Sequence, residues 1–207
     1  MELGEDIMTM EPNSPKKEEN QKRKIEEIIV LYDIKDQGKT SCLRELIHIL
    51  TNSQLPSKGD IRVIVKGYRA KNQRKKVNIF IATCGDIPPV IEDNIRFFRG
   101  KMPDSAPTPI YVYENGEWKS EENLGILKNI HADICISACR TTGGGVGALQ
   151  YFMQLNLTHT FASTWIRLNK LRTKLRVPRT KRSEPNWNKV ANELKQLIDS
   201  RFARNYI

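Results

Sequence analysis

The feature that most constrains this chain is the unbroken apolar run in Glu26-Glu27-Ile28-Ile29-Val30-Leu31-Tyr32-Asp33-Ile34, with a helical stripe close behind it. A run without polar alternation leaves neither face for water, so it reads as a strand buried on both sides. Leu43, Leu46, Ile47 and Leu50 then recur at i, i+3, i+4 and i+7, the spacing of one apolar helix face. Strand, short loop and amphipathic helix in immediate succession commit the chain to layered α/β architecture.

The rest of the chain repeats that alternation. Residues 61–68 (IRVIVKGY) and 76–83 (KVNIFIAT) are β-branched runs, read as a long hairpin or two neighbouring strands. Pro88 and Pro89 precede VIEDNIRFF, which reads as a helix with proline near its first turn. PIYVYENGEWKS carries Asn115-Gly116 between strand-like flanks, a hairpin signal. SEENLGILKNI reads as a helix and ADICISACR as another buried strand. PNWNKVANELKQLIDSRF reads as a last helix with Trp187, Val190, Leu194 and Leu197 on one side. Trp165 and Trp187 read as core anchors. The pattern predicts a mainly parallel central sheet, with no internal repeat. Residues 1–24 are polar, charge-mixed and without apolar period, and read as a disordered lead. The remainder, 25–207, reads as one domain ending in a basic helical segment at about 161–185.

Composition narrows the class. Of 207 residues 39% are hydrophobic and 28% charged, and no apolar stretch approaches the roughly 18–20 residues of a membrane span. No secretory-type apolar segment opens the sequence, so a cytoplasmic protein without membrane contact is expected. Cys42, Cys84, Cys135 and Cys139 form no paired spacing, and His48, His131 and His159 are scattered. Reduced core thiols are the expectation, rather than zinc ligands or disulfides.

The net charge of +10 is concentrated. Residues 66–76 carry six basic and no acidic side chains, and residues 161–185 carry eight basic and one acidic. Such patches attract anions, whether nucleotide, phosphorylated substrate or nucleic acid; a solvated turn and a solvated helix face are the alternatives.

Between the first strand and first helix stands Asp33-Ile34-Lys35-Asp36-Gln37-Gly38-Lys39-Thr40. It resembles the phosphate-binding loop GxxxxGK[ST] of the P-loop NTPase superfamily, with Asp33 in place of the first glycine. The resemblance implies a three-layer P-loop NTPase-like fold, here with an inserted β-hairpin. It also implies binding of ATP (or GTP) with Mg²⁺, with hydrolysis or transfer of the terminal phosphoryl group. Gln37, Gly38, Lys39, Thr40 and Ser41 would cradle the phosphates, Lys39 would contact the outer ones, and the Thr40 hydroxyl would take a metal position. Asp33 and Asp36 would oppose a polyphosphate unless turned away or placed beside metal.

A second acid is wanted beyond a neighbouring strand, and Asp86, after NIFIATCG, suits a metal-holding or water-orienting role. The alternative is an ordinary Gly-Asp turn. Asp133 is poorer, because it stands at the start of its strand. Arg140, at the end of ADICISACR and before Gly143-Gly144-Gly145, could neutralise charge on a transferred phosphoryl group or pair with a surface carboxylate. Arg167, Lys170 and Lys174 fall on one helix face opposite Leu168, Leu171 and Leu175, serving as a lid, a nucleic-acid contact or a solvated face. No GxSxG, HExxH or GxGxxG occurs, leaving hydrolase-triad, zinc-protease and dinucleotide-oxidoreductase chemistry unsupported. No Asn-Lys-x-Asp motif occurs, which favours ATP over GTP. The competing reading is a basic nucleic-acid-binding accessory protein with a vestigial nucleotide site on the same scaffold. Oligomeric state is left open.

Overall fold

The computed structural model describes residues 27–34, 38–71, 73–84, 109–120, 132–140, 162–177 and 186–204. In chain order these form β1 (Glu27–Asp33), α1 (Lys39–Thr51), β2 (Arg62–Tyr68), β3 (Val77–Ala82), β4 (Ile110–Glu114), β5 (Glu117–Lys119), β6 (Ile134–Arg140), β7 (Ala162–Arg167), α2 (Leu168–Lys174) and α3 (Trp187–Arg204). The expected lead at 1–24 lies outside the described residues, as do the expected helices at 90–98 and, past Ser120, at 121–130.

The strands make one mixed, mostly parallel sheet in the order β5-β4-β2-β3-β6-β1-β7. β1 lies between β6 and β7, parallel to both, and β6 is also parallel to β3. β2 runs antiparallel to β3 and parallel to β4, so the two runs at 61–83 are the expected hairpin. Register divides the side chains by face. Ile29, Leu31, Ile136, Ala138, Ile79, Ile81, Val63 and Val65 form one buried layer, against which α1 and α3 pack. Ile28, Val30, Cys135, Phe80 and Ile64 point to the other face and are buried as well. The apolar run of β1 is thus shielded on both sides, as its composition requires.

α1 buries Cys42, Leu43, Leu46 and Ile47 on its inner stripe. It ends on Asn52 in the left-handed region (φ 50°), whose N–H bonds the His48 carbonyl, and asparagine tolerates that conformation better than most residues. Asn115 and Gly116 both take positive φ (54° and 89°) between β4 and β5, which is the mirror-image turn that matches strand twist in a two-residue hairpin. In α3 the buried residues are Val190, Ala191, Leu194 and Ile198, with Leu197 half-buried beside them. All four cysteines are buried free thiols. Burial pushes the Cys42 thiol up to about 12, and Cys135 well above its ordinary range, so both stay protonated packing residues.

One expectation needs correction. The basic segment at about 161–185 is not helical from its start: Ala162–Arg167 is an edge strand paired with β1, and the helix after it spans only Leu168–Lys174. The leucine spacing of 168–175 masked the β-branched residues before it, because strand pairing with β1 is invisible in a local window. The side chain of Trp165 lies outside the described residues. Asp133 does stand at the amino end of β6, where its carboxylate accepts a 2.7 Å bond from the Asn78 amide. Among the described residues no helix is long and apolar enough to cross a membrane.

Two predictions follow from local geometry. After α2, Arg176 adopts φ 53°, while the Val177 amide reaches back to the Arg172 carbonyl, closing a helix end that favours glycine. Arg176→Gly should therefore stabilise the fold by about 1 kcal/mol, a rise of about 2–4 °C in melting temperature. Glu114 takes hydrogen bonds from Lys119 and Lys66, which hold its carboxyl at about 2 rather than the usual ~4.3. Its contribution to stability should be complete above pH ~4.3 and disappear as pH falls toward 2. Chemical denaturation across pH 2–6 should find the native sequence more stable than Glu114→Gln above pH ~4.3, with the difference shrinking to nothing as pH falls toward 2.

Candidate functional site

Because β1, β3, β6 and β7 are parallel, their carboxyl ends share one edge, and antiparallel β2 begins at the same edge. Open α/β sheets bind ligands along such an edge. The residues there are Asp33 and Ile34, the start of α1, Thr83, Arg140, and Asp60 just before β2.

The turn into α1 depends on Gly38. It caps the helix at φ 84°, ψ 23°, and its carbonyl accepts the first helical bond, 2.9 Å from the Cys42 amide. Its first turn contains no acidic residue, so the helix presents amides and partial positive charge at the sheet edge. A side chain at 38 would also strike the Trp187 indole, 2.0 Å from where a Cβ would stand. Trp187 opens α3, and the Arg172 guanidinium lies 5.5 Å from its ring centroid. Asn188, next in α3, donates to Glu45 of α1 at 3.0 Å. The C-terminal helix is therefore seated on the outer side of the turn.

Lys39 is 5% exposed, and its ammonium bonds the carbonyls of Ile34 (2.9 Å) and Asp33 (3.3 Å). This bridges the turn from the end of β1 to the start of α1. Asp33, the residue in the first glycine's place, avoids positive φ and remains in the strand. Its carboxylate accepts from the Ile34 amide within the turn (2.9 Å) and from the Asn169 amide at the start of α2 (2.6 Å). Two backbone amides, one on either side, thus hold the Asp33 carboxylate in place.

Thr40 projects toward β3. Its hydroxyl stands 3.2 Å from the Thr83 carbonyl oxygen and 3.3 Å from a carboxylate oxygen of Asp60. The Thr83 hydroxyl accepts from the Ile61 amide (2.9 Å) and lies 3.4 Å from the same Asp60 oxygen. Arg44, one turn after Thr40 on α1, donates to the carbonyls of Ser57 and Gly59 and so fixes the turn that carries Asp60.

Of the residues singled out by sequence, Gly38, Lys39, Thr40 and exposed Ser41 gather at the start of α1. Half-buried Arg140 ends β6 in register with Asp33, at the same edge. Gln37 and Asp86 lie outside the described residues. Arg167 and Lys170 are exposed near this edge. The basic stretch 66–76 joins β2 to β3 at the opposite edge, a strand length of about 20 Å from Lys39. Asp60, Arg44 and Trp187 are the contributors that sequence reasoning passed over. Asp60 had a signal: an antiparallel hairpin at 61–83 necessarily returns the residue before its first strand to the end of its second.

Compared with protein-family models, with curated proteins and with solved structures, the chain matches none.

Gly38→Ala should destabilise the protein by about 3 kcal/mol, combining the left-handed backbone with the clash against Trp187. In a Trp187→Ala background the same change should cost only about 1–2 kcal/mol, the backbone part alone. Urea unfolding of the four-member cycle measures the difference.

Proposed function

We propose that the turn at residues 33–40 binds ATP, or less favourably GTP, together with Mg²⁺, and that the protein hydrolyses the nucleotide or transfers its terminal phosphoryl group. The observation that carries this reading is the buried Lys39 ammonium bridging the Asp33 and Ile34 carbonyls at the amino end of α1. A lysine held there needs only to exchange carbonyl oxygens for phosphate oxygens, while the first-turn amides meet the same anion.

The residues present fit the nucleotide and its cation. Gly38 lets backbone approach a phosphate closely, and the Asp33 carboxylate is engaged by two amides. Thr40 presents a hydroxyl oxygen next to the Asp60 carboxylate, a pair of hard donors suited to Mg²⁺. Mg²⁺ there would neutralise phosphate charge. Arg140 shares the sheet edge and supplies a fixed positive charge for the transferred group, and Ser41 extends the first turn. Gln37 and Asp86 keep the phosphate-cradling and acid roles that the resemblance implies. The superfamily reading also accounts for the mainly parallel sheet with both faces buried and for the inserted antiparallel strand β2.

A second reading is favoured by the separation of the charge patches. The basic hairpin at 66–76 stands at the edge away from Lys39, where it serves an extended polyanion rather than a nucleotide. Nucleic-acid binding through it would weaken steeply with salt and would be indifferent to Lys39.

A thermal-shift series with ATP, GTP and their diphosphates, with and without Mg²⁺, separates the readings. At saturating Mg²⁺–ATP, about 100 times Kd, the native protein should gain about 2.7 kcal/mol. Lys39→Ala should abolish that gain; its unliganded melting temperature should also fall, because two carbonyls lose a donor. No ligand-dependent rise in the native protein, with salt-sensitive RNA or DNA binding retained in Lys39→Ala, would establish the second reading instead.

A further inference from the structure

Asp60 was not expected at this edge, and its surroundings are specific. Its Oδ1 atom stands 3.3 Å from the Thr40 hydroxyl and 3.4 Å from the Thr83 hydroxyl, and the Thr40 oxygen is 3.2 Å from the Thr83 carbonyl. Adjacent ligands of an octahedral Mg²⁺ at ~2.1 Å are separated by about 3 Å, so the Thr40 and Asp60 oxygens are close to the spacing of two neighbouring ligands. We propose that Asp60, on the turn before β2, is a carboxylate that holds the divalent cation of the bound nucleotide beside Thr40, and that Arg44 positions it.

The hydrogen count is consistent. The Thr40 hydroxyl has one proton and two acceptors within reach, Asp60 and the Thr83 carbonyl. With a cation at its lone pair and at Asp60 Oδ1, the proton goes to the Thr83 carbonyl, and every oxygen keeps a partner. Pre-organisation comes from α1. Thr40 and Arg44 are one helical turn apart, and Arg44 ties the backbone of Ser57 and Gly59 to that helix. The spacing between the two ligand oxygens is therefore set by one rigid element.

One carboxylate and one hydroxyl are a poor cage for bare Mg²⁺, which usually keeps several waters and draws its remaining ligands from substrate phosphates. Asp60 is exposed at the sheet edge, leaving room for both. The cation should accordingly bind with the nucleotide and only weakly alone. This inference rests on the nucleotide reading and adds to it a residue from the turn that leads into antiparallel β2.

The test is calorimetric titration of the full chain with the non-hydrolysable β,γ-imido analogue of ATP, in excess MgCl₂ and in EDTA. The native protein should bind at least about tenfold more tightly with Mg²⁺. Asp60→Asn should bind in EDTA as the native protein does, or more tightly, while its Mg²⁺ gain falls below about threefold. Arg44→Gln should lose part of the gain in the same direction, and Asp60→Glu should recover part of it. Circular dichroism melts confirm that each variant is folded. A full Mg²⁺ gain in Asp60→Asn overturns the assignment while leaving nucleotide binding intact. Binding that is equal in both buffers for the native protein does the same. Absence of binding by the native protein in either buffer overturns the nucleotide reading, and the Asp60 assignment falls with it.

Discussion

Only 2% of Asp33 is exposed, and a buried carboxylate is costly unless hydrogen bonds replace the water it has lost. Asp33 obtains them from its neighbour's amide and from the amide of Asn169, which begins α2. The same residue's carbonyl accepts from the Lys39 ammonium. One position therefore joins the end of β1, the start of α2 and the start of α1. The geometry of the turn between β1 and α1 depends on that junction, which also ties it to α2, more than 130 residues further along the chain.

Sheet polarity supplies the second constraint. Parallel pairing of β1 with β6 and β7, and of β6 with β3, collects Asp33, Arg140, Thr83 and the amino end of α1 on one side. The reversed direction of β2 adds Asp60 to that group and sends the basic stretch 66–76 to the far side. The chain thus separates an edge of mixed charge, with hydroxyls and a carboxylate next to a buried ammonium, from a uniformly basic turn about one strand length away. Trp187, with the Arg172 guanidinium over its ring, stands against Gly38, so α3 bears on a turn almost 150 residues earlier.

Much of this was legible in order of local strength. The apolar run of β1 and the Leu43, Leu46, Ile47 stripe of α1 carry their own periods, and both elements form where those periods place them. Asn115-Gly116 specified its turn because few residues accept two successive positive φ angles. β7 was missed because its pattern is short and its partner, β1, is over 130 residues away. Arg172, within the basic segment, is buried beside the Trp187 ring, a contact that helical spacing alone does not encode.

For the site, the sequence by itself determined the pieces that act through adjacent backbone: a glycine able to take φ 84°, a lysine and threonine at the first two helical positions, and a strand leading directly into them. Tertiary structure alone decided which way the Asp33 carboxylate faces, that Asp60 meets Thr40, and that Trp187 closes over Gly38. The division has a physical cause. Backbone conformation and periodicity are fixed by residues within a few positions of one another, whereas a carboxylate's partners are chosen by strand order and polarity, which emerge only when distant segments pack.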